Sequence, residues 1–290
     1  MRVFVFPGQG SQSKGMGQEL FDEVTEFRNA EQEIDSILGY SIRELCLDDP
    51  RDELNQTQFT QPALFVVNAL EYFKRRAAGE KADYLAGHSL GEYNALLAAG
   101  AFDFVTGLKL VQKRGALMAQ AKDGGMAAII GLTAEAIREL LQNNPELSGI
   151  DVANYNSPSH TVISGPVAEL EKAQEKFKDA GAKLYKILPV SAAFHSRYMQ
   201  AAADEFGSFL QGFSFAPLQT PVIANITAEP YPQAASQDEA DQAIRDFLVK
   251  QIASSVRWTE SIRYLKAQGA EEFEEVGPGK VLSKLIKQID

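Results

Sequence analysis

Ser89 is flanked by glycines two positions away on each side, in the segment Gly87-His88-Ser89-Leu90-Gly91. A short apolar run precedes this segment, and a helical pattern starts immediately after it. The G-x-S-x-G spacing is typical of a nucleophile elbow, in which small neighbours allow a sharp bend and the serine Oγ projects above a sheet edge. The first amides of the following helix would stabilise negative charge beside that oxygen. The pattern therefore predicts a catalytic serine, with a simple glycine turn as the alternative.

A serine nucleophile needs a base, and the chain has three histidines. His88 is adjacent to Ser89, and neighbouring side chains on a strand point to opposite faces, so we expect His88 to pack beneath the elbow. His160 lies in a polar loop between two expected strands, and we expect it to be solvated. His195 has apolar neighbours and lies where the chain crosses between two expected lobes. These features favour His195 as the base, with a structural histidine as the alternative.

The tetrahedral intermediate of acyl transfer also needs hydrogen-bond donors for its oxyanion, each worth about 3–4 kcal/mol of the barrier. The elbow itself places the amide of Leu90 for this purpose. A glycine loop, Gly8-Gln9-Gly10, follows the apolar run 3–6, and ligands bind at such carboxyl ends of parallel strands. We therefore expect the amide of Gln9 to be the second donor, although these residues also fit an ordinary tight turn.

Arg114 is a cation within an apolar helical face. A helical wheel over residues 104–118 places it among the apolar positions Phe104, Leu108, Val111, Gly115 and Met118. A buried guanidinium is costly unless it meets an anion, and its planar fork fits a carboxylate in a bidentate manner. Two anions are compatible with the sequence, namely a carboxylate of the protein itself or a carboxylate of the substrate.

The charge of the chain limits its partners. Twenty-eight basic and 39 acidic residues give a net charge of −11, which argues against nucleic acid as the main partner because phosphate binding favours a basic surface. Lys280, Lys284 and Lys287 form a basic stripe at helical spacing on this acidic protein. A solvated helix face is the default interpretation of the stripe, and docking of an acidic partner is the alternative.

The 290 residues, of which 45% are hydrophobic and 23% charged, can form one large core or two modest ones. The single cysteine, Cys46, excludes an internal disulfide, and its spacing from the histidines fits no metal site, so we expect no bound metal. Every apolar run is too short for a signal peptide or a bilayer span. We therefore expect a cytoplasmic protein that is not embedded in a membrane.

Strand-like runs alternate with helical patterns over most of the chain, which predicts an α/β fold with a parallel sheet. The expected strands of this body are 3–6, the run that leads to Ser89, 220–225 and 272–276, and its expected helices include 17–47, 61–78, 91–99 and 103–121. Residues 126–189 instead follow the order β-α-β-β-α-β of ferredoxin-like domains. We predict a large subdomain, 1–125 with 190–290, and an inserted small subdomain, 126–189, with the active site in the cleft between them.

Seven motifs resemble those of the malonyl-CoA:acyl carrier protein transacylases, in the same order and from end to end of the chain. They are Gly8–Gln12, Thr60–Ala63, Gly87–Tyr93, Gln112–Gly115, Ala193–Ser196, Val256–Trp258 and Gly277–Leu282. The resemblance implies an α/β-hydrolase-like large subdomain with a parallel sheet and an inserted ferredoxin-like (βαββαβ) small subdomain. It also implies malonyl-CoA as a substrate, an acyl carrier protein as the partner, and no cofactor.

The resemblance further implies a role for each residue that the sequence points to. Ser89 would be the acylated nucleophile and His195 its base. The amides of Gln9 and Leu90 would donate hydrogen bonds to the oxyanion. Arg114 would bind the malonyl carboxylate.

Three more positions follow from the resemblance alone. Gln61 matches a family position that lines the pocket. The backbone carbonyl of Arg257 would orient His195, in place of an acidic triad member. Phe194 resembles the malonyl-selective signature of polyketide acyltransferase domains, because its bulk would exclude an α-methyl group, a discrimination of about 1–3 kcal/mol. The chain departs from that signature at Ala192, where such domains often carry a histidine.

Residues 154–158 and 193–199 are most similar to the trans-acting polyketide members of the family. We therefore expect a freestanding transacylase for polyketide synthesis, with fatty acid synthesis as the other pathway. Two other functions stay open. A serine esterase or thioesterase would have no need for Arg114, and a non-catalytic docking module for carrier proteins would have no need for Ser89.

Overall fold

The computed structural model describes residues 1–190 and 192–290. Its first sheet is parallel, with strands β1 (Arg2–Phe6), β2 (Tyr84–Gly87), β7 (Val222–Ile223) and β8 (Glu272–Glu275) in the order β7-β2-β1-β8. Each of these strands lies within or overlaps a run that the sequence predicts as a strand. Both faces of the sheet are covered, which explains why its central strands are continuous apolar runs.

The second sheet is antiparallel. Its strands are β3 (Gly124–Ile130), β4 (Asp151–Ser157), β5 (His160–Pro166) and β6 (Leu184–Ile187), in the order β4-β5-β3-β6. Two helices, α7 (Ala134–Asn143) and α8 (Val167–Asp179), complete the chain order β-α-β-β-α-β. This is the ferredoxin-like arrangement that the sequence predicts.

The remaining helices belong to the large body. They are α1 (Leu20–Glu23), α2 (Thr25–Leu38), α3 (Ile42–Leu47), α4 (Thr57–Ala77), α5 (Gly91–Ala98), α6 (Phe104–Gln120), α9 (Gln200–Leu210), α10 (Gln237–Ala253), α11 (Trp258–Ala267) and α12 (Val281–Ile286). Three helices, α1, α2 and α3, lie within the region 17–47 that the sequence predicts as helical, and the extended conformation of Val24 and the left-handed conformation of Gly39 separate them. None of the described helices has the length and apolar composition needed to cross a bilayer.

Alternate residues of β1 enter two different cores. Phe4 and Phe6 pack into the larger one, which includes residues of α4, α5 and α6. Val3 and Val5 pack into a second core with residues of α11 and α12. A third core lies inside the small subdomain. The parallel sheet is therefore held from both sides, and its carboxyl edge is a rigid platform for the residues that follow each strand.

The two glycines of the elbow allow α5 to lie directly against β1. A Cβ atom on Gly91 would be 2.0 Å from the carbonyl oxygen of Phe6, and one on Gly87 would be 2.0 Å from the backbone of Gly91. Neither position can therefore hold a side chain without moving the backbone. This close packing fixes the turn that carries Ser89.

The small subdomain is joined to the large body by backbone hydrogen bonds as well as by the covalent chain. Strand β4 pairs with the segment before α11, where the amide of Tyr155 donates to the carbonyl of Val256 at 2.9 Å and the amide of Val256 donates to the carbonyl of Ala153 at 2.8 Å. The segment that pairs with β4 follows α10 immediately. The end of α10 is therefore held between the two subdomains.

Candidate active site

Ser89 follows β2 at the carboxyl edge of the parallel sheet and has a φ of 51°, in the left-handed region. This sharp turn directs its Oγ into a cavity of about 460 Å³ between the two subdomains. The Oγ lies 2.7 Å from Nε2 of His195, which belongs to the segment that follows the small subdomain. The cleft thus brings together two residues that are 106 positions apart in the sequence.

The surroundings of His195 determine which of its nitrogens carries the proton. Nδ1 lies 3.0 Å from the carbonyl oxygen of Gln251 and 3.2 Å from that of Ser254. Carbonyl oxygens only accept, so Nδ1 must be the protonated nitrogen and the neutral ring presents an unprotonated Nε2 to Ser89. The hydroxyl of Ser89 therefore donates its hydrogen bond to His195, as a serine that is to lose its proton requires.

The expectation that the backbone carbonyl of Arg257 orients His195 is wrong. Its carbonyl oxygen accepts hydrogen bonds from the amide and the hydroxyl of Ser261 in the first turn of α11, and it does not contact His195. The carbonyls of Gln251 and Ser254, at the end of α10, orient the histidine instead. A carbonyl near the carboxyl end of a helix lacks an intrahelical partner, so it is free to accept from a side chain.

His195 is 4% exposed, and this burial lowers its pKa to about 3, with a further contribution from the positive charge of Arg114. The imidazole is consequently neutral at physiological pH and available as a proton acceptor. Its φ of 57° is also in the left-handed region. Both members of the Ser89–His195 pair thus have backbone conformations that an isolated chain rarely adopts.

The side chain of Arg114 is 1% exposed and points from α6 into the same cavity. Its Nη1 donates to Oε1 of Gln61 at 2.7 Å, and its Nη2 donates to Oε1 of Gln251 and to Oγ of Ser89, both at 3.1 Å. Within the described residues, no carboxylate forms an ion pair with Arg114. Its positive charge is therefore held by neutral groups beside the nucleophile, which leaves the charge available to an anionic ligand.

Gln9 and Leu90, the two residues expected to provide oxyanion donors, both border the cavity. Gly8 brings the loop after β1 against the elbow, since a Cβ atom there would lie 2.4 Å from the carbonyl oxygen of His88. Neither amide donates to a protein acceptor in the part of the chain that the structure describes. Two backbone donors without protein partners, next to a serine Oγ, can stabilise an oxyanion.

Apolar side chains line the part of the cavity that faces the small subdomain. Phe194 is 5% exposed and lies among Met118, Met126, Leu188 and Val190. Gln61 borders the same space and is held in place by its bond to Arg114. The cavity therefore combines one cationic side with an apolar wall, which suits a small acyl group that ends in a carboxylate.

The other two histidines do not contact Ser89. His88 packs against Asn156 and Trp258, with its Nε2 2.8 Å from Oδ1 of Asn156 and its ring 5.6 Å from that of Trp258, but it is only partly buried and also borders the cavity. The expectation that His160 is a solvated loop residue is wrong, because this histidine begins β5, is partly buried and borders the cavity. A strand pairing that extends to the first residue after the turn explains the difference.

Sequence analysis missed three polar residues of the site, Glu92, Asn225 and Gln251. Glu92 and Asn225 are 1% exposed, and Gln251 is fully buried. Asn225 follows β7 at the same sheet edge as Ser89 and could have been found from that position. Glu92 lies within the elbow motif Gly87–Tyr93, but the neighbouring residues do not indicate that its carboxylate is buried. Gln251 lies on α10, a helix that the sequence analysis does not predict.

A family model for the acyl transferase domain matches residues 3–289. The chain belongs to this acyl transferase family. The match extends over almost the whole chain, in agreement with the end-to-end resemblance of the seven motifs.

Individual relatives agree with this assignment. The acyl transferase chain is 52% identical to the polyketide biosynthesis malonyl CoA-acyl carrier protein transacylase BaeC of Bacillus velezensis, over 100% of this chain and 96% of the relative. It superposes on a malonyl CoA-acyl carrier protein transacylase from Burkholderia pseudomallei with a TM-score of 0.91, at 50% identity and with 100% and 97% of the two chains covered.

A third similar structure is a malonyl-transacylase in complex with AntF, a type II PKS acyl-carrier protein. The TM-score is 0.89 at 37% identity, and 99% of this chain and 92% of that chain are covered. The two-subdomain α/β architecture is common to these structures, which confirms the predicted fold class.

Proposed function

We propose that this protein transfers the malonyl group of malonyl-CoA to the phosphopantetheine thiol of an acyl carrier protein, through a malonyl-Ser89 intermediate. One observation carries the proposal: Ser89 Oγ lies within hydrogen-bond distance of both a neutral histidine and a buried arginine that has no anionic partner among the residues the structure describes. A serine esterase requires the first contact but not the second. The names of the most similar relatives support the same activity.

In the first half-reaction, Nε2 of His195 accepts the proton of Ser89 as Oγ attacks the thioester carbonyl carbon. The amides of Gln9 and Leu90 donate to the carbonyl oxygen while it carries negative charge. Collapse of the tetrahedral intermediate breaks the carbon–sulfur bond, and His195 returns the proton to the CoA thiolate. The products are CoA and malonyl-Ser89.

Arg114 selects the acyl group. One methylene separates the malonyl carboxylate from the thioester carbonyl, so a carbonyl at Oγ of Ser89 brings the carboxylate next to the guanidinium. This pairing immobilises the acyl group for attack, and the apolar wall around Phe194 limits the access of water to the ester. Phe194 also occupies space that an α-methyl substituent would need.

In the second half-reaction the carrier thiol replaces CoA. His195 accepts the thiol proton, the sulfur attacks the ester carbonyl of malonyl-Ser89, and the bond to Oγ breaks as Ser89 recovers a proton from His195. The reaction is thus of the ping-pong type. No step requires a redox change or a Lewis acid, so we propose that transfer needs no cofactor and that malonyl-CoA is only a substrate.

We also propose that the enzyme acts in polyketide biosynthesis, supported by its 52% identity to BaeC along its full length. Supply of fatty acid synthesis is the second pathway. A cytoplasmic location fits the chemistry, because a reducing compartment keeps the acceptor thiol free. Transfer assays with polyketide carriers and with the fatty acid carrier, followed side by side, decide between the two pathways.

Intact-protein mass spectrometry after mixing with malonyl-CoA tests the mechanism. We expect a malonyl adduct on Ser89 that disappears when a carrier protein is added, with the malonyl mass then found on the carrier. Ser89→Ala should form no adduct and transfer at a rate reduced by a factor of at least about 10³. A metal chelator in the same reactions should change neither result.

Two outcomes contradict the proposal. Release of free malonate at the same rate with and without carrier protein would identify a thioesterase. Carrier loading by Ser89→Ala at the wild-type rate would leave only a docking function. Ser208→Ala, an exposed hydroxyl on α9, is the matched control and should behave as wild type.

A further inference from the structure

Glu92 is a carboxylate that the mechanism above does not use, although it lies within the wall of the active site. It occupies the first turn of α5, three residues after Ser89, and is 1% exposed. Three donors surround it. Its Oε2 accepts from the amide of Asn225 at 2.8 Å and from Nε2 of Gln251 at 3.1 Å, and its Oε1 accepts from the hydroxyl of Tyr231. These three hydrogen bonds compensate for the burial of the carboxylate and fix its position.

Gln251 links Glu92 to Arg114 and Ser89 through the hydrogen bonds of its side chain. Its Nε2 donates to Glu92 and to the carbonyl oxygen of Ser89, so its Oε1 must face Arg114. Without the acceptor at Glu92, the Gln251 amide group keeps only the carbonyl oxygen of Ser89 as a close acceptor for its Nε2, so its orientation is less firmly fixed. Rotation by half a turn would then put an NH₂ group against the guanidinium. The backbone carbonyl of the same glutamine accepts from His195.

Asn225 links Glu92 to the backbone of Ser89 by hydrogen bonds. Its backbone amide binds the carboxylate, while its side chain spans the elbow. Oδ1 accepts from the amide of Ser89 at 2.7 Å, and Nδ2 donates to the carbonyl of Gly87 at 2.6 Å. These two bonds hold the strained backbone of Ser89 from both sides.

The charge of Glu92 has a second effect. It is an anion close enough to Arg114 to influence it electrostatically, but the Gln251 amide lies between them. A carboxylate in direct contact with the guanidinium would compete with the substrate for it. A carboxylate one amide away offsets part of the charge without forming an ion pair that the malonyl carboxylate would have to displace.

We propose that Glu92 is a positioning residue for malonyl transfer, which fixes the Gln251 amide and the Asn225 side chain and through them sets Arg114 and the Ser89 backbone. This inference rests on the proposed function. It assigns Glu92 no contact with substrate. Its substitution should therefore damage the recognition of the malonyl carboxylate more than the reactivity of the serine.

The exchange Glu92→Gln tests the proposal, because it conserves shape and replaces one acceptor oxygen by a donor. We expect kcat/KM for malonyl-CoA to fall at least tenfold and the ratio of malonyl to acetyl transfer to fall at least threefold. Glu31→Gln is the control, since Glu31 pairs with Arg43 away from the cavity and should leave both values unchanged. An unchanged ratio in Glu92→Gln would overturn the proposal.

The pH dependence of kcat/KM supplies a readout that a purely structural residue would not move. Burial raises the pKa of Glu92 to about 7, against the opposing effects of its hydrogen bonds and of Arg114. The charged and titratable groups that face it are Arg114 and Tyr231, with Tyr93 beside it on α5. The carboxylate is lost as the pH falls through 7, so kcat/KM should decrease there. His195 of the free enzyme stays neutral to about pH 3 and does not contribute to that decrease.

Glu92→Gln should lack this acidic decrease. Tyr231→Phe is a second variant for the case in which Glu92→Gln does not fold. The tyrosine hydroxyl lowers the pKa of Glu92, so its removal should move the decrease to higher pH. A decrease at the same pH in wild type and Tyr231→Phe, or one that persists in Glu92→Gln, would overturn the role of Glu92. Wild-type enzyme that fails to load a carrier would instead overturn the proposed function.

Discussion

The guanidinium of Arg114 is oriented by the two glutamines Gln61 and Gln251 and donates to Ser89, and it forms no ion pair within the described part of the chain. Arg114→Ala should therefore lower kcat/KM for malonyl-CoA about tenfold to hundredfold, because hydrogen bonds to a charged group contribute about 1.5–3 kcal/mol. Transfer of acetyl, which has no carboxylate, should change much less. The measurement is carrier loading from each CoA ester.

Lys113→Ala is the matched control for this prediction. Lys113 is the preceding residue on α6, but its ammonium group pairs with Glu205 outside the cavity. It should leave the malonyl to acetyl ratio unchanged. Equal losses of malonyl and acetyl transfer in Arg114→Ala would show that the arginine does not bind the carboxylate.

The sequence identifies residues whose signal lies in their immediate neighbours. Ser89 is recognisable from two glycines, and Arg114 from the apolar residues of one helical face. Gln251 has no such signal, since it contacts Ser89 across 162 positions of the chain. The family resemblance predicts that the carbonyl of Arg257 orients His195, whereas the carbonyls of Gln251 and Ser254 do so. Every residue has a backbone carbonyl, and only the fold determines which one meets a given side chain.

Among the elements, α12 brings charge to the mouth of the cavity. Lys280, Lys284 and Lys287 are all exposed, and Lys284 borders the opening. The amides of Leu282 and Ser283 at the start of this helix are held by the carboxylate of Glu275. CoA and phosphopantetheine both carry phosphate groups, so we expect the lysine stripe to attract either of them to this opening.

Lys284→Glu should raise the KM for the carrier protein about threefold to tenfold, with little change in kcat, because it reverses one charge at the point of encounter. The increase should be smaller at high salt, since screening weakens such contacts. Lys81→Glu, an exposed lysine before β2 and therefore at the opposite edge of the parallel sheet, is the control. A KM that does not respond to Lys284→Glu at low salt would favour a purely solvated helix face.

The sequence predicts most strands and the order of the small subdomain, but it leaves several helices of the large body unassigned. The apolar strands β1 and β2 and the order of elements in the small subdomain follow from periodicity. The sequence analysis did not predict α9, α10 and α11, so the helix end that orients His195 was absent from the predicted site. Helices α9 and α11 do have buried apolar faces, formed by Ala203, Phe206 and Leu210 in α9 and by Trp258, Ile262 and Leu265 in α11, so their patterns could have been recognised.

At the scale of the whole molecule, the small subdomain holds the segment that carries the base. Ser164 of β5 is fully buried, and its hydroxyl donates to the carbonyl of Phe194 at 2.9 Å. Gly124 of β3 approaches the same segment, since a Cβ atom there would lie 2.5 Å from the amide of Ala193. The inserted domain thus determines the position of both Phe194 and His195.

Ser164→Ala should lower the free energy of unfolding by about 1–3 kcal/mol, because it leaves the carbonyl of Phe194 buried without this donor. It should also increase methylmalonyl transfer relative to malonyl transfer, as Phe194 becomes less firmly held. Thr161→Val is the control on the same strand, since the buried hydroxyl of Thr161 has no partner in residues 1–190 and 192–290 and its loss should be nearly neutral. Urea unfolding and paired transfer assays provide the two measurements.

The positive charge of Arg114 acts on the base as well as on the acyl group. In the empty site it adds to the effect of burial and makes His195 harder to protonate. A malonyl carboxylate that pairs with Arg114 cancels this charge just when Ser89 must give up its proton. An acetyl group brings no such charge and meets a weaker base even when it is bound. We therefore expect the enzyme to discriminate malonyl from acetyl in the rate of acylation of Ser89 as well as in binding affinity. The malonyl carboxylate would itself make His195 a stronger base for the reaction.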